Sequence, residues 1–400
     1  MHDYARPEGV HEVDVVVIGA GQAGLVAARE LQRRGVAGYA PSSVPNDDAD
    51  PLTFVVLDAE AGPGGAWRHR WPGLTMATVN DIADLPGMAA PPYSGSEKSA
   101  QFIPEYFSEY EVEFDLPIFR PVRVLSVSAE GSEFVLTTTA GQFRTRALLN
   151  CMGTWRSPFI PWYPGLYEFR GLHVHTRDYR DPDVFWRKRT LVVGGGISAL
   201  DHLDEISQVT DHVYWATRTP PRWKNMADFG RGGPSPASAG TAATQAPNEQ
   251  RGLGVEAGRA VENRVRARTE AGLRPLPVVA ETGLPRTDKV RDMEARGLLD
   301  RLPMFDRLDA HGAWWGERYL ELDAIVWATG FRAHLNHLAP LKLRGKGAGE
   351  SGGILMRGTR VAAYPNLHLL GYGASASTVG ARRDSRTAVR EILRYLADDQ

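Results

Sequence analysis

Two glycine-spaced runs have the residue types and spacing to hold a dinucleotide. The first is Gly19-x-Gly21-x-x-Gly24, with Gln22 and Ala23 between the last two glycines. Gly19 permits a tight turn, Gly21 lets backbone approach a pyrophosphate, and Gly24 lets a helix pack close to a strand. A helix beginning there offers free N–H groups and a positive dipole end to phosphates. Asp58 closes the next apolar run, where a carboxylate accepts hydrogen bonds from a ribose diol. The interval from Gly19 to Asp58 is long, and the loop-like stretch 37–51 accounts for the excess. The second run is Gly194-x-Gly196-Ile197-Ser198-Ala199, with alanine as an accepted third member. Its partner run ends in Thr217-Arg218 and not in an acid. An arginine there pairs with a 2′-phosphate, which points to NADPH. The other reading of Arg218 is a solvated charge at a strand end. Two such sites in one chain suggest FAD in the first and NADPH in the second. A flavin takes a hydride and passes electrons on one or two at a time.

The elements that must position these residues are legible around them. Asp14 to Ile18 reads as a buried parallel strand, Leu25 to Arg34 as a helix closed by Gly35, and Phe54 to Asp58 as the next strand. The pattern returns at Thr190–Val193, Ile197–Ser207 and His212–Ala216. Strand, glycine turn, helix and strand, met twice, predict an α/β fold of two Rossmann-like dinucleotide-binding domains. An antiparallel pair is expected near Pro121–Ser128 and Glu133–Thr139, and a further apolar run at Ala147–Cys151. Val255–Ala271 reads as a polar helix, Asp323–Ala328 as a strand, and Thr387–Leu396 as an amphipathic terminal helix. Residues 62–92 promise little regular structure. The Gly-, Pro-, Ser-, Ala- and Thr-rich stretch 230–247 reads as a loop, either a neutral insertion or a lid.

Composition excludes several classes. The 400 residues carry 46 basic and 48 acidic side chains, a net charge of −2. There is no basic excess for nucleic acid or an anionic membrane, and no apolar run of membrane-spanning length. The polar start, with Asp3, Glu8 and Glu12, lacks the features of a signal peptide, so a cytoplasmic location is expected by default. The one cysteine, Cys151, allows no internal disulfide, no Cys-x-x-Cys pair and no cysteine-rich metal site. No metal is expected, and redox chemistry falls to an organic cofactor.

Beyond Asp58 lies Gly64-Gly65-x-Trp67, whose backbone and indole either face an isoalloxazine or simply pack. Phe169-x-Gly171-x-x-x-His175-x-x-x-Tyr179 then stands just before the second glycine turn. This pattern resembles the fingerprint of class B flavin-dependent monooxygenases. With Gly19–Gly24, Gly64-Gly65-x-Trp67, Gly153-Thr154, Gly194–Ala199 and Ala328-Thr329-Gly330, the resemblance spans nearly the whole chain. It is nearest to the flavin-containing monooxygenases, including the plant auxin-forming branch. Tyr179, where the Baeyer–Villiger branch usually has Trp, points away from that branch.

The resemblance implies a discontinuous FAD domain, 1–158 with 331–400. An NADPH domain, 159–330, is inserted and carries the stretch 230–254. It implies that His175 organises the domains and cofactor and is not a proton-transfer base. Val124 would offer its backbone to the adenine. Ala328, Thr329 and Gly330 would lie at the domain crossing. Gly373 to Thr378 would lead into a last helix whose positive end faces the flavin pyrimidine. Asn80 would reach the flavin oxygen edge, although a turn-forming asparagine is the other reading. The implied chemistry is oxygen transfer from O2, through a flavin C4a-(hydro)peroxide, to a small organic substrate. That substrate is an amine, a thioether or a carbonyl compound. A peroxide-releasing NADPH oxidase and a non-enzymatic FAD- and NADPH-binding protein remain the alternatives, and a homodimer is possible. Trp162, Tyr163, Trp223, Trp314 and Trp315 either line an apolar substrate site or pack in the core.

Overall fold

The computed structural model describes residues 9–40, 51–79, 82–225, 255–276, 283–344, 352–376 and 378–398. Asn80 and the 230–254 stretch lie outside the described residues. The chain opens with strand β1 (Val10–Ile18), helix α1 (Gln22–Arg33) and strand β2 (Thr53–Leu57). β1 begins ahead of its apolar run because Val10 to Val13 pair with Gln142 to Thr145 on a neighbouring strand. Backbone hydrogen bonds, not side-chain burial, extend it.

Helix α2 (Ser99–Glu113) has no counterpart in the sequence reading. It lacks a side-chain cap at Lys98 and contains Pro104. It forms because Ile103, Tyr106, Phe107 and Tyr110 fall on one face and are buried there. Strands β3 (Val124–Glu130) and β4 (Glu133–Thr138) make the expected antiparallel hairpin, and β5 (Gly141–Asn150) follows.

The chain then builds β6 (Leu172–His175), β7 (Thr190–Val193), α3 (Ile197–Ile206), β8 (Val213–Ala216), α4 (Val255–Glu270) and β9 (Ala324–Trp327). Between α4 and β9 stands a small antiparallel flap, Arg307–Leu308, Gly312–Trp315 and Arg318–Glu321. The chain ends with β10 (Tyr364–Leu369) and α5 (Thr378–Asp398).

The strands form two principal sheets. The ten-stranded sheet has a parallel core in the order β10-β5-β1-β2. The five-stranded parallel sheet runs Arg301–Leu302, β8, β7, β9, β6. The chain thus leaves the first sheet after β5, builds the second, and returns to the first through Met356–Arg357 and Arg360–Val361 to β10. One apolar cluster bridges both, joining Val15, Val17 and Leu25 to Val192, Leu200 and Val326.

Candidate dinucleotide sites and the crossing between them

The first glycine turn joins β1 to α1. Gly19 has φ +96°, and its N–H donates to the Leu57 carbonyl at 2.8 Å. A Cβ on Gly24 would stand 1.8 Å from the Gly19 oxygen, so only glycine lets α1 seat on the turn. A Cβ on Gly21, by contrast, would meet nothing within 4 Å. No side chain caps α1, so the first N–H groups around Gln22 and Ala23 stay available to an anion. Gly65 closes on this turn, where a Cβ would be 3.0 Å from the Gly21 Cα. A Cβ on Gly64 would be 2.7 Å from Pro104 of α2. The unforeseen helix therefore backs the Gly64-Gly65 turn.

Asp58 is buried just beyond β2, where it accepts a hydrogen bond from Arg120 Nε at 2.7 Å. The same guanidinium donates to both oxygens of Glu111, at 2.8 and 3.0 Å. Burial pushes the Glu111 carboxyl up despite Arg120. Sequence reasoning missed Arg120, because no spacing rule links it to Asp58. Val124 opens β3, whose strand partner is β4. The Gly373–Ala376 turn leads to α5, which opens at Thr378.

The second turn sits on the end of β9. Gly194 has φ +151°, and a Cβ there would be 2.2 Å from the Ala328 oxygen. A Cβ on Gly196 would again meet nothing within 4 Å, and α3 has no side-chain cap. Ile197 and Ser198 are half-buried at that end, while Ala199 is fully buried. The Thr217 hydroxyl donates to the Thr219 carbonyl at 2.8 Å, and its own carbonyl accepts from Arg301 at 2.9 Å. Arg218 projects as an exposed residue beside them. Arg301 is a second cation at this edge that the sequence reading did not single out.

His175 closes β6 and bonds to the segment just after β9, its neighbour in the same sheet. The Arg177 N–H donates to its Nδ1 at 3.0 Å, so the proton resides on Nε2 and is donated to the Gly330 carbonyl at 2.9 Å. Burial lowers the pKa of the ring. A neutral imidazole with both nitrogens engaged is a strut and is poorly placed as a base. Thr329 donates its hydroxyl to the Phe159 carbonyl, and the Ala328 N–H donates to Val193 at 2.8 Å.

The remaining fingerprint residues have mechanical partners. A Cβ on Gly171 would be 2.4 Å from the Phe169 ring. Tyr179 donates to Glu205 Oε2 at 2.9 Å, and Trp71 Nε1 donates to Glu205 Oε1 at 3.0 Å. Glu205 lies at the far end of α3 from the glycine turn, so this latch ties α3 to the segment after Trp67. Burial raises the Glu205 pKa.

Trp67 is half-buried, with the Arg70 guanidinium 5.2 Å from its ring and 4.6 Å from that of Trp155. Trp155 stacks on Phe331 at 5.0 Å, and Phe331 meets the His175 ring edge-on at 5.0 Å. The aromatic set singled out by sequence does not converge on one site. Trp162 is exposed, Tyr163 packs on Phe305, Trp314 packs on Tyr319, Trp315 lies edge-on to Phe305, and Trp223 lies beside Trp215. Cys151 is buried at the end of β5, and burial pushes its thiol up. Among the described residues no helix is long and apolar enough to cross a membrane, and no cluster of three metal-ligand side chains occurs.

Two glycine turns, one on the parallel core of each sheet, define a two-dinucleotide oxidoreductase. Comparison with known proteins agrees. The family model described as pyridine nucleotide-disulphide oxidoreductase matches residues 73–231. A variant of the flavin monooxygenase from Stenotrophomonas maltophilia is 31% identical at a TM-score of 0.73, covering 96% of this chain and 99% of that one. The flavin-containing monooxygenase FMO GS-OX4 of Arabidopsis thaliana is 29% identical over 252 residues, 53% of this chain and 50% of that protein. An uncharacterised CzcO-like oxidoreductase of Geobacillus kaustophilus is 29% identical over 198 residues, 50% of this chain and 52% of that protein. The chain spans about half the length of the curated relatives it matches. Cyclohexanone monooxygenase shares the fold at 18% identity and a TM-score of 0.61. The chain belongs to the class B flavin monooxygenase family, whose members are oxidoreductases that use FAD and NADPH.

Proposed function

We propose that the chain is an FAD- and NADPH-dependent monooxygenase that transfers one oxygen of O2 to a small organic substrate bearing a soft nitrogen, sulfur or carbonyl centre. The observation that carries this reading is His175, neutral and hydrogen-bonded to the Gly330 carbonyl, in a chain with two open glycine turns. When bound, FAD supplies hydride acceptance from NADPH and reaction with O2.

The residues fit both cofactors. Gly19, Gly21 and Gly24, with the uncapped end of α1, would receive the FAD pyrophosphate, and Asp58, braced by Arg120, would face the ribose. Gly64, Gly65 and Trp67 would lie along the ring system, and Val124 would meet the adenine. Gly194 to Ala199 would receive the nicotinamide nucleotide, with Thr217 and Arg218 at its 2′-phosphate. In this reading 1–158 and 331–400 hold FAD, and 159–330 hold NADPH. The His175 ring against Phe331 and the Trp71–Glu205 arm of the latch would hold the two units in register. Water exclusion at the crossing follows from the packed rings of Trp155 and Phe331.

The test is anaerobic reduction of the FAD-loaded protein by NADPH and, separately, NADH, followed by mixing with O2. Faster reduction by NADPH, slow return to oxidised flavin, and oxygenation of a thioether or amine without matching peroxide release are expected. Stoichiometric peroxide with every substrate tried would make it an oxidase. No reduction by either nucleotide would defeat the reading.

A further inference from the structure

We propose that Arg70 is a receptor for the carboxylate of a small organic-acid substrate, an assignment that rests on the monooxygenase reading and narrows its substrate. The guanidinium lies over two indoles, 5.2 Å from the Trp67 ring and 4.6 Å from the Trp155 ring. Through Trp155 and Phe331 it is connected by ring contacts to His175. It therefore stands between the Gly64–Trp67 turn and the Gly330 crossing.

Among the described residues, no carboxylate or carbonyl accepts a hydrogen bond from its side chain, and its Nε is buried without a partner. Glu60, an acid of the same segment, is occupied by His69 at 2.9 Å and Arg156 at 2.8 Å. Burying a cation without a counter-charge is costly. The indole faces offset part of that cost but accept none of the N–H groups in their plane. Burial lowers the Arg70 pKa to about 10, so it stays charged at neutral pH.

The side chain retains some open surface, so the unmet charge is within reach of a ligand. A guanidinium is a planar fork that matches the two oxygens of a carboxylate. The cofactor anions have receptors elsewhere: the pyrophosphates at the ends of α1 and α3, and the 2′-phosphate at Arg218. That leaves Arg70 for the substrate. A carboxylate held there fixes one end of a small acid and leaves its thioether, amine or carbonyl end free to be oxidised.

The FAD-loaded protein is titrated with phenylacetate and with phenylacetamide, read by tryptophan fluorescence. Phenylacetate should bind at least about tenfold tighter, since a charge-assisted pair is lost in the amide. Arg70→Met keeps an apolar stem against the indoles and should bring the two ligands to within about twofold, with amide binding unchanged. Equal binding of the two ligands by the unaltered protein would overturn the proposal, whatever the variant does. So would a preference that survives Arg70→Met. A variant that loses FAD affinity while keeping the preference would reassign the charge to the cofactor, which also overturns it. Failure of NADPH to reduce the flavin is a separate result: it defeats the monooxygenase reading without touching the carboxylate preference.

Discussion

His175, His202, His337 and His368 are all buried, and burial lowers the pKa of each. In the unfolded chain each takes a proton below about 6.5. In the folded chain protonation waits until about 3 for His202 and His368 and about 4 for His337. The stability from keeping these rings neutral is therefore full above about pH 6.5 and drains away as pH falls. Each of the last three costs on the order of 2 kcal/mol by pH 5. The thermal midpoint should fall by roughly 10 °C between pH 7 and pH 5. A flat midpoint across that range would show that the imidazoles are not held neutral. Residue identity alone could not reveal this. His175 stood out by its fingerprint, whereas His202 owes its state to complete burial, which only the packing of the fold supplies.

At the scale of elements, the two strand–turn–helix units carry the dinucleotide reading, and their glycines divide into two kinds. Gly24 and Gly194 are needed by the fold, since a Cβ would strike the Gly19 or Ala328 oxygen. Gly21 and Gly196 are not, since a Cβ would meet only open space. Gly21→Ala should leave the melting of the apoprotein within about 1 kcal/mol of the parent while weakening FAD binding at least tenfold or so. Gly196→Ala should do the same to NADPH with FAD retained. Calorimetry beside cofactor titration checks both, and unchanged affinities would remove the pyrophosphates from these turns. The glycine units were legible because steric rules act within a few residues. Helix α2 was not, because its uncapped start and Pro104 speak against it and only burial of Tyr106 and Tyr110 speaks for it. The start of α5 at Thr378, ahead of the expected Thr387, has a similar cause. Ser385 is buried against α1, donating to the Ala23 carbonyl at 3.3 Å.

At the scale of the molecule, one apolar cluster runs through both sheets. The Trp71–Glu205 hydrogen bond and the Phe331–His175 ring contact cross the same boundary. The chain should therefore melt in a single transition, and FAD should raise the midpoint of that whole transition. At a hundredfold excess over Kd the stabilisation is about 2.7 kcal/mol. Two separate transitions, with only one moved by FAD, would show that the units are energetically independent.

The sequence by itself determined the two glycine turns, the strands and helices that flank them, and the fingerprint before the second turn. Each is a local pattern whose meaning depends on neighbours a few residues away. Only the tertiary structure decided that Arg120 braces Asp58 and that Tyr179 and Trp71 share Glu205. It also decided that Arg70 lies against two indoles with no acid to meet it among the described residues. Those pairings join residues from separate elements, and the free energy that selects them is released only when the elements pack and exclude water.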